Sequence, residues 1–326
     1  MSFLAADEST ALSAPACGAL DRLLPPGGAL SGRIFSRLVA DPPEETPLAP
    51  GTPLGCWRLG RLLGCGGSSM VYVADRADGH FEQQAALKIV RADPRLVGQF
   101  HRERQVLAEL AHPSIARLID GGACADGRPW FAMELVPGVR IDHYVEHRRL
   151  PLRDRLVLFE GVCEAIAYAH ARGLVHRDIK PGNLLVDEHG RARLLDFGIA
   201  MADGAGDDGI HRAMTPVYAS PEQRAGGLVT KASDVYQLGM LLSAMLVPAC
   251  GLPSRMSESG VADALRTVVA RATAHDATLR FPSVAALRAA VVTLRQRTRL
   301  LHVRRHVDAH RSVRIGGYRE SRAWCE

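Results

Sequence analysis

Four polar side chains lie close together in one stretch of the chain, His176 to Gly198. Two are carboxylates, Asp178 and Asp196, and between them come the ammonium of Lys180 and the amide of Asn183. Asn183 and Asp196 offer hard oxygen ligands that suit Mg²⁺, which proteins commonly hold with one or two carboxylates and substrate phosphates. Asp178 is then free to accept a proton from an attacking hydroxyl. Each residue alone is also typical of a turn, and only the combination favours chemistry.

A glycine-rich segment lies upstream, where Gly64, Gly66 and Gly67 fall in a turn between two strand-like runs. Glycines at such a turn let backbone N–H groups approach phosphate oxygens, although a plain β-turn would explain the same residues. A dinucleotide-binding fingerprint is disfavoured, because a strand and not a helix is predicted to follow the glycines.

Lys88 lies in the next strand-like run, among apolar neighbours. An unpaired buried ammonium is costly, so a Lys88 side chain directed into a cleft needs anionic partners. The candidate partner within the protein is Glu103, on the helix predicted next, and Glu109 is its rival. The alternatives are a solvent-facing lysine on an edge strand and an exposed helix carboxylate.

These residues have to be positioned by two different kinds of element. Short runs separated by turn residues from Trp57 onwards, then IARLID and PWFAMELV, are typical of antiparallel strands. The apolar spacing within residues 96–110 predicts one helix among them. After Gly138 long periodic segments predict a larger, mainly helical half. A ligand site is expected between the two halves.

The remaining composition limits the class of protein. Residues 1–53 are rich in small residues and proline, which predicts an extension, with one short helix at most, and a linker. The formal net charge of +5 comes largely from a basic run that begins at Arg288, more often a solvated surface than a nucleic-acid site. Seven scattered cysteines without a C-x-x-C pair argue against a disulfide framework or zinc site and fit a reducing cytoplasm. We expect a cytoplasmic protein with no membrane anchor.

Taken in order, these features resemble a protein kinase of the bacterial eukaryotic-like Ser/Thr type. The order is glycine-rich loop, strand lysine, helix glutamate, HRD loop, DFG and an SPE segment, over roughly residues 57–290. The lysine two residues after Asp178, in HRDIKPGN, resembles the branch that acts on Ser or Thr hydroxyls.

The resemblance implies an α+β, two-lobed protein-kinase-like fold. Residues 1–53 would be the extension and residues 54–296 the kinase domain, followed by a basic tail, 297–326. Within the domain, residues 54–135 would form a small antiparallel-sheet N-lobe with one main helix. Residues 136–296 would form a mainly helical C-lobe.

The resemblance also implies ATP and Mg²⁺ as cofactors and a protein Ser or Thr hydroxyl as the acceptor. Asp178 would be the catalytic base, and Lys180 would steady the transferring phosphoryl group. Glu103 would orient Lys88, which would grip the α and β phosphates. The metal ligands would be Asn183 and Asp196. The nucleotide-binding residues would be Leu63, Gly64, Gly66, Gly67, Val71, Ala86, Lys88, Met133, Glu134 and Val136.

Further roles follow from the same resemblance. Met133 would be the gatekeeper, and the backbone of Glu134 and Val136 would meet the adenine edge. Asp234 would brace the HRD loop from its helix. Glu222 of the SPE segment would pair with Arg280.

The sequence departs from the family pattern at three places. Ser69 replaces the third loop glycine, which stiffens the loop without preventing nucleotide binding. No Ser, Thr or Tyr lies between Asp196 and Thr215, so we expect activity without phosphorylation of that segment. The span from Asp234 to Arg280 is short, which predicts a reduced C-lobe and puts substrate docking in doubt. A nucleotide-binding pseudokinase or scaffold is therefore the alternative function.

Overall fold

The structure is a computed structural model, and it describes residues 47–65, 69–90, 104–105, 108–195, 201–202, 217–246 and 261–297. Its first half is built around a six-stranded antiparallel sheet with strand order β1-β2-β3-β4-β6-β5. The strands are β1 (Pro53–Leu54), β2 (Trp57–Cys65), β3 (Ser69–Arg76), β4 (Gln84–Val90), β5 (Leu118–Ala123) and β6 (Pro129–Glu134).

The two faces of this sheet belong to different cores, because successive side chains on a strand point to opposite faces. On one face, Trp57, Tyr72, Leu87 and Trp130 are buried in a core that belongs to the sheet alone. On the opposite face, the side chains of Ala86, Phe131 and Met133 join a core that continues into the helical half. That second face is therefore the one that faces the helices.

The second half contains the helices α1 (Ile141–His147), α2 (Leu152–His170), α3 (Pro221–Arg224), α4 (Lys231–Leu246) and α5 (Val261–Ala272). Residues 284–297 are also helical. Most of α4 is buried, and apolar side chains surround it, as expected for a central helix. Helix α5 instead buries one stripe, which includes Val261, Leu265 and Val268. The helical half thus packs around α2 and α4.

Five short strands also lie in the second half. They are β7 (Gly138–Arg140), β8 (Leu174–Val175), β9 (Leu184–Asp187), β10 (Ala192–Leu194) and β11 (Met201–Ala202). They form two small antiparallel sheets, ordered β10-β9-β7 and β11-β8. The C-lobe is therefore mainly helical, as expected. The run RARLL at β10 is strand-like in the sequence, but the other four strands were overlooked because two to four residues are too few to show alternation.

The C-terminal helical residues are fastened to α2 by ion pairs. Arg295 donates two hydrogen bonds to Glu160, at 2.6 and 3.0 Å, and Arg288 pairs with Glu164. The sequence analysis counted these two arginines with the basic run. The structure shows that both belong to the packed domain, so this part of the run is neutralised.

The α+β, two-lobed fold is confirmed. Several expectations lie outside the described residues: the extension before residue 47, the short connection at 247–260, the segment 203–216 and the basic tail after residue 297. Of the helix predicted within residues 96–110, residues 104–105 and 108–109 are described and helical. Within the described part of the chain, no helix is long and apolar enough to cross a bilayer.

Candidate active site

Three predicted site residues meet in the loop between β8 and β9. Nζ of Lys180 lies 2.7 Å from Oδ2 of Asp178. Nδ2 of Asn183 donates to the same carboxylate oxygen at 3.1 Å and to the backbone oxygen of Asp178 at 2.8 Å. Asp178 and Lys180 each keep about a fifth of the side chain exposed, 19% and 21%. The carboxylate is thus held by two donors while still open to an incoming group.

A buried carboxylate on α4 binds the backbone of the loop between β8 and β9. Asp234, which has no exposed surface, accepts the backbone N–H groups of His176 and Arg177, both at 2.8 Å. Oδ2 of Asp234 also lies 2.7 Å from Nε2 of His170, the last residue of α2. The brace expected at Asp234 is present, and its third partner His170 was not anticipated.

Arg177 has a left-handed backbone with φ of 72°, which costs free energy for a residue with a side chain. Its carbonyl oxygen accepts hydrogen bonds from the side-chain amides of Gln237 on α4, at 2.6 Å, and Gln223 on α3, at 2.8 Å. The same Gln237 accepts the N–H of Ile179 at 2.8 Å. These bonds fix the strained backbone that leads into Asp178.

Asn183 occupies the end of a single 3-10 turn, Pro181–Asn183. Its amide nitrogen is turned toward Asp178, so its side-chain oxygen is directed away, and among the described residues no donor bonds to that oxygen. The backbone oxygen of Asn183 accepts the N–H of Leu195 at 3.0 Å. Leu195 directly precedes Asp196, and consecutive Cα atoms lie about 3.8 Å apart. The free amide oxygen of Asn183 is a donor that suits Mg²⁺, and its predicted co-ligand Asp196 lies outside the described residues.

In the sheet, Lys88 is buried on the face that looks toward the helices. It lies opposite Val71 on β3 and Phe131 on β6, and Nζ is 5.4 Å from the centre of the Phe131 ring. Only 7% of Lys88 is exposed. The side chain is therefore not the solvent-facing lysine of the alternative interpretation. Its predicted partner, Glu103, lies outside the described residues.

The predicted adenine-binding residues lie on the same face of the sheet. Ala86 lies opposite Met133 in the β4–β6 register, and both are almost fully buried. Val71 is partly buried against the core that the two lobes share. Leu63, on β2, is exposed. Apolar side chains on the face that also carries the buried ammonium of Lys88 suit a base that carries phosphates.

The chain leaves the sheet through Glu134 and Val136. The backbone N–H of Glu134 donates to the carbonyl of Arg117 at 2.8 Å, so of its two backbone groups the N–H is already engaged. Val136 is buried. The predicted contact with the adenine edge is accordingly limited, at Glu134, to its carbonyl oxygen.

The glycine-rich turn is described only in part. Gly64 lies opposite Val71, and a Cβ built on it would meet no atom within 4 Å. Ser69, the residue that replaces the third glycine, is the first residue of β3. Gly66 and Gly67 lie outside the described residues.

The family model of the protein kinase domain matches residues 57–297, about three quarters of the chain. This chain belongs to the protein kinase family. Its relatives are bacterial enzymes of the eukaryotic-like Ser/Thr type. The Ser/Thr protein kinase PrkC of Bacillus subtilis is 37% identical over 199 residues, 59% of this chain and 30% of that protein.

Two other relatives match to a similar degree. The DNA damage-responsive Ser/Thr protein kinase RqkA of Deinococcus radiodurans is 37% identical over 223 residues, 65% of this chain and 32% of that protein. The Ser/Thr protein kinase PknA of Mycobacterium tuberculosis is 38% identical over 198 residues, 57% of this chain and 46% of that protein. The matched part of this chain thus spans between 30% and 46% of the length of these relatives.

A partly buried ion pair joins α3 of the kinase domain to the segment after α5. Arg280 donates to both carboxylate oxygens of Glu222, at 2.7 and 2.8 Å, and only 2% of Arg280 is exposed. Burial raises the pKa of Glu222, but the hydrogen bonds from Arg280 and Ser233 outweigh it and lower that pKa to about 2. The pair that the family resemblance implied is formed, and its carboxylate is ionised at neutral pH.

A second ion pair joins the end of the sheet to the C-lobe. Nη2 of Arg193, on β10, lies 2.6 Å from Oε2 of Glu134, and Nη1 lies 3.9 Å from Asp187. The Glu134 carboxylate also accepts the N–H of Arg117 at 3.4 Å. The residue predicted to present its backbone to adenine is thus anchored through its side chain.

Sequence reasoning missed the residues that support the loop around Asp178 and the end of β6 at Glu134. They are His170, Gln223, Gln237 and Arg193. Their signal in the sequence is weak, because each stands on an element whose partner lies far away along the chain. A polar residue at a buried position of α4, such as Gln237, was the one available clue.

Proposed function

We propose that this chain is an ATP- and Mg²⁺-dependent protein kinase that transfers the γ-phosphoryl group to a Ser or Thr hydroxyl of a protein. The observation that carries the proposal is the cluster of Lys180, Asp178 and Asn183 on a loop braced by the buried Asp234. Phosphoryl transfer requires little covalent work from the protein, so catalysis depends on such positioning and on charge neutralisation.

In the proposed reaction, Asp178 accepts the hydroxyl proton of the protein substrate. The hydroxyl oxygen forms a bond to the γ-phosphorus, and the bond to the β–γ bridging oxygen breaks with its electron pair leaving on ADP. Lys180, 2.7 Å from Asp178, neutralises charge on the transferring group. Lys88, with Glu103 as its orienting partner, binds the α and β phosphates.

Asn183 and Asp196 would hold Mg²⁺, which supplies charge neutralisation at the phosphate oxygens when bound. The orientation of the Asn183 amide supports this role, because its donor end is taken up by Asp178 and its oxygen is left for a ligand. Val71, Ala86 and Met133 would pack against the adenine ring. Leu63 and the glycines at 64, 66 and 67 would cover the nucleotide, and the backbone of Glu134 and Val136 would meet the adenine edge.

The boundaries and location belong to the same proposal. We place the kinase domain at residues 54–296, in agreement with the family match at 57–297. We assign it to the cytoplasm, where ATP is present and where the scattered cysteines fit a reducing environment.

The test is transfer of label from γ-labelled ATP with Mg²⁺ to the chain itself and to a general protein substrate. The variant D178A should lower the rate at least about a hundredfold, because it removes the proton acceptor. The matched control D263N changes an exposed carboxylate on α5 and should keep the wild-type rate. A wild-type chain that binds nucleotide yet transfers no label above the D178A background would contradict the proposal and support a pseudokinase or scaffold, which no feature of the described residues favours.

A further inference from the structure

Two histidines lie one turn apart on the exposed side of α1, outside the proposed active site. His143 and His147 are four positions apart, and both are exposed. Their ring centres lie 6.2 Å apart, with the ring planes at 78° to each other. None of the residues proposed for catalysis, nucleotide binding or Mg²⁺ binding belongs to α1. Side chains four positions apart on a helix lie on the same face, so the two imidazoles can approach one ligand together.

Both imidazoles are available to a ligand. Among the described residues, no hydrogen bond or ion pair engages either ring. Other histidines of the domain are engaged, because the ring of His112 accepts a backbone N–H at 3.1 Å and Nε2 of His170 lies 2.7 Å from Asp234. No contact within the described part of the chain has to break before a ring nitrogen of His143 or His147 binds an ion.

The buried face of α1 holds this pair in place. Ile141 and Val145 are buried in the core that the two lobes share. The helix has seven residues, too few to be stable alone in water, so its tertiary contacts maintain the spacing of the two rings. The pair is therefore preorganised in the folded protein, and its spacing is lost when the chain unfolds.

The distance between the rings suits one bound metal ion. An imidazole nitrogen binds Zn²⁺ at about 2.0–2.1 Å, so the ion lies about 3 Å from each ring centre, and the two centres lie up to about 6 Å apart. The observed 6.2 Å is at the upper end of that range. Both side chains are exposed, so rotation about their side-chain bonds brings the rings closer. Two histidines at this spacing on one helix face also hold zinc in the H-E-x-x-H pattern.

The two ligands select the class of metal ion. Imidazole suits Zn²⁺, Ni²⁺ and Cu²⁺, whereas Mg²⁺ and Ca²⁺ prefer oxygen ligands. Among the described residues, no third His, Cys, Asp or Glu completes a metal-binding group. We propose that His143 and His147 together bind one divalent transition-metal ion, with water at its remaining positions. This site differs from the proposed Mg²⁺ site in its ligands and in its position on α1.

The proposal is tested by titrating ZnCl₂ into the full chain without nucleotide and measuring affinity and stoichiometry by calorimetry. H143Q and H147Q should each weaken Zn²⁺ binding at least about tenfold, because even the loss of a residue that only supports a metal ligand costs that much. H80Q, at an exposed histidine between β3 and β4, is the matched control and should bind as the wild type does. An excess of MgCl₂ should not compete with Zn²⁺.

The spacing of the two rings is tested separately. The double variant H147R/R148H keeps the composition of the helix end but moves the second imidazole five positions from His143, off the shared face. It should bind Zn²⁺ as weakly as H147Q does. Zn²⁺ should also raise the urea midpoint of unfolding more in the wild type than in H147Q, because the two rings have this spacing only in the folded chain.

Three results would overturn the proposal. One is equal affinity for Zn²⁺ in wild type, H143Q and H147Q. Another is unchanged affinity with fewer ions bound, which would indicate two separate single-histidine sites. The third is loss of the site in H306Q alone, because His302, His306 and His310 also repeat every four positions in the sequence. The titration contains no nucleotide, so failure of phosphoryl transfer and failure of this site are observed separately.

Discussion

Nε2 of His170 lies 2.7 Å from Oδ2 of Asp234, and the same carboxylate accepts the N–H groups of two consecutive residues of the catalytic loop. His170 is 9% exposed and Asp234 is fully buried. A buried carboxylate held at three contacts has its position fixed by them. His170 is accordingly a positioning residue, which acts on Asp178 through Asp234 and the loop backbone.

The first prediction concerns this contact. H170F removes the donor to Asp234 and should lower kcat by between about tenfold and a hundredfold, because small displacements of a catalytic group cost that much. The KM for ATP should change little, since the residues proposed to bind the nucleotide lie elsewhere. H170Q keeps an N–H donor and should recover most of the rate. A fall in KM and kcat together, or equal rates for both variants, would argue against a positioning role.

The second prediction concerns the ion pair between Glu222 and Arg280. E222Q leaves the Arg280 guanidinium buried with half of its partner lost, and we expect about 3 kcal/mol of unfolding free energy to be lost at pH 7. Urea unfolding measures this loss. D263N, at the exposed pair of Asp263 with Arg266, should change stability by less than about 1 kcal/mol.

The same pair makes a pH-dependent contribution. The pKa of Glu222 is lowered from 4.5 to about 2 in the folded protein, so the carboxylate stabilises the fold fully above about pH 4.5. This contribution is lost as the pH falls from about 4.5 toward 2, where the folded form also takes up the proton. The stability difference between wild type and E222Q should therefore shrink between pH 5 and pH 3. If the stability difference between wild type and E222Q stays constant from pH 5 to pH 3, the folded protein does not lower the pKa of Glu222.

The third prediction concerns Arg193 and Glu134. R193Q removes the ion pair at the end of β6 and should raise the Kd for a nucleotide by up to about fivefold, the range of a partly exposed pair. R193K keeps the positive charge, and its Kd for the nucleotide should lie between those of the wild type and R193Q. R191Q, on the neighbouring exposed arginine of the β9–β10 turn, serves as the control in the same nucleotide titration. Unchanged nucleotide affinity in R193Q would mean that the backbone hydrogen bond of Glu134 is enough to fix the end of β6.

The fourth prediction concerns the thiols. Burial raises the pKa of Cys163, in the middle of α2, and of Cys124, directly after β5. Both should resist iodoacetamide at pH 8 in the folded protein and react once it is unfolded. Cys65 at the end of β2 is exposed and should react in the native state. Mass spectrometry of tryptic peptides reads out each position, and rapid native labelling of Cys163 would indicate that α2 opens.

Local spacing in the sequence was sufficient for part of this site. Asp178, Lys180 and Asn183 lie within six residues of one another, so a single loop conformation brings them together, and their types alone indicate the chemistry. The longer strands of the first half were predicted because alternation and turn residues are local signals. The run PWFAMELV begins where β6 begins, whereas IARLID was placed three residues before the observed β5. The ion pair of Glu222 and Arg280 was predicted from the family resemblance and not from spacing.

The tertiary structure decided which distant residues support that loop. His170 and Asp234 are 64 positions apart, and Glu134 and Arg193 are 59 apart. It also decided that Arg288 and Arg295 belong to a packed helix, although in the sequence they begin a basic run. The spacing of side chains in the sequence predicts contacts only between residues that are close along the chain. These contacts depend instead on how α2, α4 and the small sheets pack. The sequence therefore determined the candidate reacting groups and the order of elements, and packing determined what holds those groups in place.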